Sequence, residues 1–87
     1  RSTMSQIQQL AAAINVSVRQ IDEQIAKLGN YQSKLEEMAQ RVDSALGNED
    51  SGGREMLNQI SMTKQQLDET INQLRVAGEK LRQIRLV

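Results

Sequence analysis

The sequence predicts an all-α protein, folded as an antiparallel two-helix hairpin of coiled-coil type. Three observations support this fold class. Tyr31 is the only aromatic residue and proline is absent from the 87 residues, a composition that favours long helices over a compact mixed core. Apolar residues recur at alternating spacings of three and four in two long segments, which indicates amphipathic helices. Three of the five glycines separate these segments, between Ala45 and Met56.

The first helix is predicted from about residue 5 to 46. Apolar positions that alternate four and three residues apart fall on one stripe of an α-helix. The two rows of this stripe are Ile7, Ile14, Ile21, Leu28, Leu35 and Val42, and Ala11, Val18, Ile25, Gln32, Ala39 and Leu46. Gly29 and Asn30 favour a helix C-terminus, but the repeat continues in phase across them. We therefore predict one helix, softened there by a glycine that costs roughly 1 kcal/mol.

The second helix is predicted from about residue 54 to 86, and its apolar stripe is less regular than that of the first helix. Its stripe consists of Leu57, Ile60, Leu67, Ile71, Leu74 and Leu81, flanked by Met56, Ala77 and Ile84. Lys64, Gly78 and Arg85 occupy stripe positions that are apolar or uncharged in the first helix. The two helices have similar lengths, so they are expected to pair over most of their extent.

The glycine-rich segment is predicted to be a turn over residues 47–53. Gly47 follows the last residue of the first stripe, where a C-cap belongs, and Asp50 or Ser51 is suited to be the N-cap of the second helix. Gly52 and Gly53 give the chain freedom to reverse. A phosphate-binding loop is not expected, since Lys-Ser/Thr does not follow the glycines. The oxygen ligands also lack the spacing of a calcium loop.

Composition excludes several classes of function. The chain has neither His nor Cys, which removes the usual general base and the usual zinc ligands, so we expect no enzyme, no cofactor and no metal site. Eleven basic and eleven acidic residues cancel, which argues against nucleic-acid binding. No segment has the length of a membrane span or the order of a secretory signal. A cytoplasmic location, or export without a cleavable signal peptide, is expected.

The domain organisation is predicted to be a single hairpin over 4–87, with residues 1–3 a cloning remnant before Met4. A hairpin this small buries little, and an additional row, Leu10, Tyr31, Met38 and Ala45, widens the apolar stripe. A partner or a second copy is therefore expected to complete a four-helix bundle. The residues predicted to form the seam and partner interface are Ile7, Ile14, Val18, Ile21, Ile25, Leu28, Tyr31, Leu35, Met38, Val42, Leu57, Ile60, Leu67, Ile71, Leu74, Leu81 and Ile84.

Two residues in or beside the stripe of the first helix have alternative interpretations. Gln32 lies in the stripe, where a polar residue can specify the register through a hydrogen bond; alternatively, it is a tolerated long side chain that reaches out to solvent. Tyr31 is either an anchor at the edge of an interface or ordinary packing beside the seam. The sequence leaves both pairs of alternatives open.

The layout resembles the small helical-hairpin proteins of bacterial type VII secretion. Met4-Ser5-Gln6-Ile7 opens a long helix, a short turn follows at Leu46-Gly47, and a second helix runs almost to the end. These families include the WxG proteins and the hairpin proteins that accompany LXG-domain toxins. Here Ala45-Leu46-Gly47 stands where WxG proteins have Trp-x-Gly, and no C-terminal Tyr-x-x-x-Asp/Glu signal occurs. These departures favour the accessory role among the relatives that the resemblance implies.

The main hypothesis is a non-catalytic helical adaptor, or chaperone-like partner, that binds another helical protein. The resemblance implies that this protein is the helical N-terminal region of an LXG-type toxin or a second hairpin protein of the same system. One alternative is a self-associating structural module, a homodimeric four-helix bundle belonging to a larger scaffold. A third hypothesis is a weakly binding component of a membrane surface or a filament.

Overall fold

A computed structural model of the chain describes residues 3–47 and 49–85, with side chains from Ser5 onward. It consists of two α-helices, α1 over Thr3–Ala45 and α2 over Ser51–Arg82, and the described residues form no strand. The molecule is a rod with extents of 70 × 15 × 14 Å. The predicted all-α fold class is thus confirmed.

The two helices pack against each other in opposite directions. Gln32 of α1 contacts Asp68 of α2, whereas Asp22, earlier in α1, contacts Arg82 at the end of α2. The last turn of α2 lies beside Val18. The residues of α1 that line a pocket with the end of α2 begin at Ala11, so the first two turns of α1, about 12 Å of helix at 1.5 Å per residue, extend past the end of α2.

The boundaries of the elements differ from those predicted. The turn between the helices is shorter than the predicted 47–53, because α2 begins at Ser51 and takes in Gly52 and Gly53. Asp50 is responsible, since its side chain caps the helix and so starts it earlier. The other end of α2 is Arg82 rather than residue 86. Residues 1, 2, 48, 86 and 87, on which parts of the predicted bounds fall, lie outside the described residues.

α1 continues without interruption through Gly29 and Asn30. A Cβ atom added at Gly29 would meet nothing within 4 Å, so close packing does not require a glycine at this position. The unbroken heptad repeat on either side explains the continuity, because the packing of α1 on α2 outweighs the low helix propensity of one glycine.

The core between the helices is thin. Within the described part of the chain, Ile71 is the only buried hydrophobic side chain, with 7% of its surface exposed. The whole chain exposes 6925 Å², whereas a compact monomer of 9.8 kDa is expected to expose about 5,200 Å². The hairpin thus leaves accessible about 1,700 Å² that a globular fold of this mass would bury.

Neither helix, over the residues described, has a stretch long and apolar enough to cross a membrane.

Candidate interaction surface

The seam between the helices is formed by the two rows of each stripe. In α1, the stripe residues from Ile7 to Val42 are half-buried, and in α2 the half-buried or buried positions continue the same spacing from Gly53 to Leu81. Ile7 belongs to the part of α1 that extends past α2. Of the other residues predicted for the seam and partner interface, those that lie in this seam are Ile14, Val18, Ile21, Ile25, Leu28, Leu35, Val42, Leu57, Ile60, Leu67, Ile71, Leu74 and Leu81. Tyr31, Met38 and Ile84 do not; they lie beside it and are about half exposed.

Two glycines of α2, Gly53 and Gly78, are buried and occupy seam positions. A Cβ atom at Gly53 would lie 2.6 Å from the carbonyl oxygen of Gly47 and 3.0 Å from Cβ of Leu46. A Cβ atom at Gly78 would lie 3.5 Å from Cγ2 of Ile21, which is an ordinary contact distance. Only Gly53 therefore excludes a side chain.

The turn itself is held by backbone and side-chain caps. Gly47 adopts a φ of +72°, a left-handed conformation that suits glycine at the end of a helix, and its N–H lies 3.4 Å from the carbonyl oxygen of Val42. Asp50 accepts a hydrogen bond of 3.0 Å from the backbone N–H of Gly53 through Oδ1. These two residues do what was predicted of them, while Gly52 and Gly53 are helical residues.

One side of the hairpin carries the polar contacts between the helices. Along each helix, two seam positions that are three residues apart form a seam pair. We define the polar edge as the residues that directly follow these pairs: Asn15, Asp22, Gly29, Glu36 and Asp43 of α1, and Arg54, Ser61, Asp68, Arg75 and Arg82 of α2. Nη2 of Arg82 donates to Oδ2 of Asp22 at 2.8 Å. Nζ of Lys64, which emerges from the seam, pairs with Glu36.

Gln32 also reaches across the seam to this side. Its Nε2 donates to Oδ1 of Asp68 at 2.5 Å and lies 3.4 Å from the backbone carbonyl of Lys64. Both partners are on α2, so the contacts link the helices in one register. Of the two interpretations of Gln32, this geometry supports register specification. Periodicity did not indicate that Asp68 would be the acceptor, because the pairing depends on the register.

The opposite side of the hairpin is apolar. Because the helices are antiparallel, the same heptad position of each falls on the same side, and the position preceding each seam pair lies opposite the polar edge. We define this apolar edge as Leu10, Ser17, Gln24, Tyr31, Met38 and Ala45 of α1 and Met56, Thr63, Thr70 and Ala77 of α2. Leu10, Tyr31, Met38 and Met56 are all exposed over 51–55% of their surface.

The polar members of the apolar edge offer few free donors. The hydroxyl of Thr63 donates to the carbonyl oxygen of Gln59 at 2.9 Å, and that of Thr70 donates to Gln66 at 3.0 Å. Both hydrogen bonds lie within α2 and satisfy the hydroxyl in its own helix. What this edge presents to another molecule is thus mainly apolar area at seven-residue intervals. Such an arrangement can pack against a helix.

A comparison of the chain with protein-family models, with curated proteins and with solved structures finds no match. The geometry of the hairpin therefore carries the functional argument.

Proposed function

We propose that this protein is a non-catalytic helical adaptor that binds another helical protein and completes a bundle with it. The observation that carries the proposal is the imbalance between buried and exposed apolar surface. One apolar side chain is buried within the described residues, whereas nine large ones are exposed, among them Leu10, Tyr31, Met38 and Met56 of the apolar edge. An isolated pair of helices gains little stability from such a seam, and exposed apolar residues that share one side of a molecule mark an interaction site.

The accessible area is sufficient for an interface. The surface exposed beyond that of a compact monomer, about 1,700 Å², exceeds the roughly 800 Å² that one partner contributes to a stable complex. A second hairpin, or two helices of another protein, laid along the rod would cover this area and give a four-helix arrangement. No cofactor is needed for such a role.

The resemblance to type VII secretion proteins supplies the partner within this proposal. Size, the order of the two helices and the position of the turn support an accessory role toward the helical N-terminal domain of an LXG-type toxin. On this proposal, the hairpin covers the toxin's apolar helices and accompanies them to the secretion machine. The second candidate, a homodimeric structural module, is supported by the same exposed surface.

Light scattering and circular dichroism of the purified chain test the proposal. Alone, the chain should be a monomer of reduced helicity; mixed with the helical N-terminal domain of an LXG-type toxin encoded beside it, it should gain helicity and form a complex of defined mass. A stable homodimer in the absence of that domain would contradict the adaptor role and favour the structural module.

Two variants show whether the hairpin itself is required for binding. Leu67→Asp places an unpaired charge in the half-buried seam and should abolish both helicity and complex formation. Met62→Asp introduces the same charge on α2 at a residue that is 55% exposed, away from the seam and both edges, and should leave both unchanged. Equal loss in the two variants would argue that charge alone, rather than the seam, controls binding.

A further inference from the structure

The apolar edge has an unusual distribution of charge along its border. We define the border as the outward position next to the apolar edge on each helix: Gln6, Ala13, Gln20, Lys27, Lys34 and Arg41 of α1 and Gly52, Gln59, Gln66, Gln73 and Lys80 of α2. Lys27, Lys34, Arg41 and Lys80 are all exposed, and none forms an ion pair with another described residue.

Acidic residues are missing from the apolar edge and its border. The chain has eleven Asp and Glu residues, and none of them occupies the apolar edge or its border. Those in the helices lie on the polar edge or on the outward faces, and Glu49 and Asp50 lie in the turn. The chain is neutral as a whole, but the edge and border positions of this side carry four positive charges, and Glu37, on the outward face beside Lys34, Met38 and Arg41, is the acidic residue that lies next to them.

From this segregation we propose that the apolar edge binds a helical partner whose own apolar stripe is bordered by Asp and Glu. This inference rests on the proposed function and specifies the face and the chemistry of the partner. Lys27, Lys34 and Arg41 recur every seven residues, over about 21 Å of α1. An acidic residue every seventh position of an aligned partner helix would therefore face each of them. Complementary charges of this kind select the partner and its register.

The same segregation argues against a second copy as the occupant. Two copies that met through their apolar edges would bring two sets of four basic residues to one interface, with no acidic residue at the edge or border positions themselves. Like charges at an interface disfavour association. The polar edge of another copy does not match the apolar edge either. Its Asp22, Glu36 and Asp68 form ion pairs and a hydrogen bond between the helices and do not border an apolar stripe.

A membrane surface fits the apolar edge less well than a helix does. Apolar residues beside basic ones also occur in helices that lie on anionic lipid. Here, however, the exposed apolar residues of α1 are separated by Ser17 and Gln24, and the edge has neither Trp nor Phe. Side chains spaced seven apart on both helices match the periodicity of a partner helix, and vesicles serve as the contrasting probe.

Two synthetic helical peptides test the charge preference. Both have about four heptads with leucine at the seam positions, but one is bordered by Glu and the other by Lys. Neither contains Tyr or Trp, so the fluorescence of Tyr31, the single tyrosine of the chain, reports binding at the apolar edge. We expect the Glu-bordered peptide to bind the full chain about tenfold more tightly or better at low salt, and the preference to shrink as salt rises.

Two triple variants with the same change in net charge locate the effect. The first variant combines Lys27→Gln, Lys34→Gln and Arg41→Gln, which remove the border charges of α1. Its affinities for the Glu-bordered and Lys-bordered peptides should differ by no more than about twofold. Arg19→Gln, Arg54→Gln and Arg75→Gln remove three basic groups elsewhere and should leave the preference intact. All six side chains are exposed, and glutamine retains a similar helix propensity, so circular dichroism should report equal helicity.

The outcomes separate this inference from the function on which it rests. Equal affinity for the two peptides, or the same loss in both triple variants, would overturn the acidic-partner inference and leave the adaptor role standing. Binding of neither peptide would also overturn it. Tighter binding to phosphatidylserine vesicles than to the Glu-bordered peptide, with the same change in Tyr31 fluorescence, would assign the edge to a membrane. A stable homodimer would contradict both proposals.

Discussion

Alanine substitutions at Gly29 and Gly53 should change the stability of the hairpin in opposite directions. Both glycines are helical residues. At Gly29, an added Cβ has open space within 4 Å. At Gly53, it would lie 2.6 Å from the carbonyl oxygen of Gly47 and 3.0 Å from Cβ of Leu46. The first of these neighbours is backbone in the turn, which cannot move aside as a flexible side chain can.

The expected magnitudes follow from these surroundings. Gly29→Ala should stabilise the folded chain by roughly 1 kcal/mol, because alanine has a higher helix propensity and loses less backbone entropy. At Gly53, near the beginning of α2, alanine has a smaller advantage in helix propensity, and forcing its methyl group against the turn costs typically 1–3 kcal/mol. We therefore expect a net destabilisation of roughly 1 kcal/mol or more. For a domain of this size, each kcal/mol corresponds to a shift of about 4–8 °C in Tm.

Thermal unfolding followed by circular dichroism at 222 nm measures both effects. The variants are compared at one protein concentration, because any association makes Tm depend on it. Gly78→Ala is a third member of the series, since its Cβ would make only an ordinary contact of 3.5 Å with Ile21; it should behave like Gly29→Ala. If Gly53→Ala raised Tm as much as Gly29→Ala, the close approach of α2 to the turn would be refuted.

Two further substitutions test the cap and the core. Asp50→Ala removes the acceptor of the Gly53 N–H and should lower the free energy of unfolding by about 1 kcal/mol; Asp50→Asn should lower it less. If Asp50→Ala abolished partner binding at unchanged helicity, the turn would itself be a binding site. Ile71→Ala truncates the buried apolar side chain of α2 and should lower the free energy of unfolding in urea by about 2–5 kcal/mol. Val76 is half exposed on the same helix, so Val76→Ala should change that free energy by no more than about 0.5 kcal/mol.

The seam could be predicted from sequence because it depends on a local rule. The heptad spacing determines which residues of each helix share a face, and Ile21, Leu28 and Ile71 lie in the seam as that rule requires. Continuity of α1 through Gly29 followed from the unbroken phase of the repeat. The beginning of α2 differs from the predicted residue 54, because paired glycines favour a turn, whereas the side chain of Asp50 caps a helix that includes Gly52 and Gly53.

The two edges depend on how the helices meet, which no local pattern specifies. Gln32 was recognised as a polar seam residue, but its pairing with Asp68 follows only from the register. Likewise, Tyr31 and Met56 belong to one surface only because the helices are antiparallel. The basic border is likewise hidden in the net charges, because each helix is almost neutral: four basic and five acidic residues give −1 over Thr3–Ala45, and five basic and four acidic residues give +1 over Ser51–Arg82. The segregation of charge becomes visible once the sides of the hairpin are distinguished.

The short turn also has a consequence for the order in which the hairpin folds. Contacts beside the turn, such as that of Gly53 with Gly47, close a loop of a few residues, whereas Gln32 and Asp68 are 36 residues apart and Asp22 and Arg82 are 60 apart. Each doubling of loop length adds about 0.6 kcal/mol of closure entropy. The contacts between the helices are therefore expected to form first beside the turn and then progressively farther from it. The contact between Asp22 and Arg82 should form last on folding and break first on unfolding.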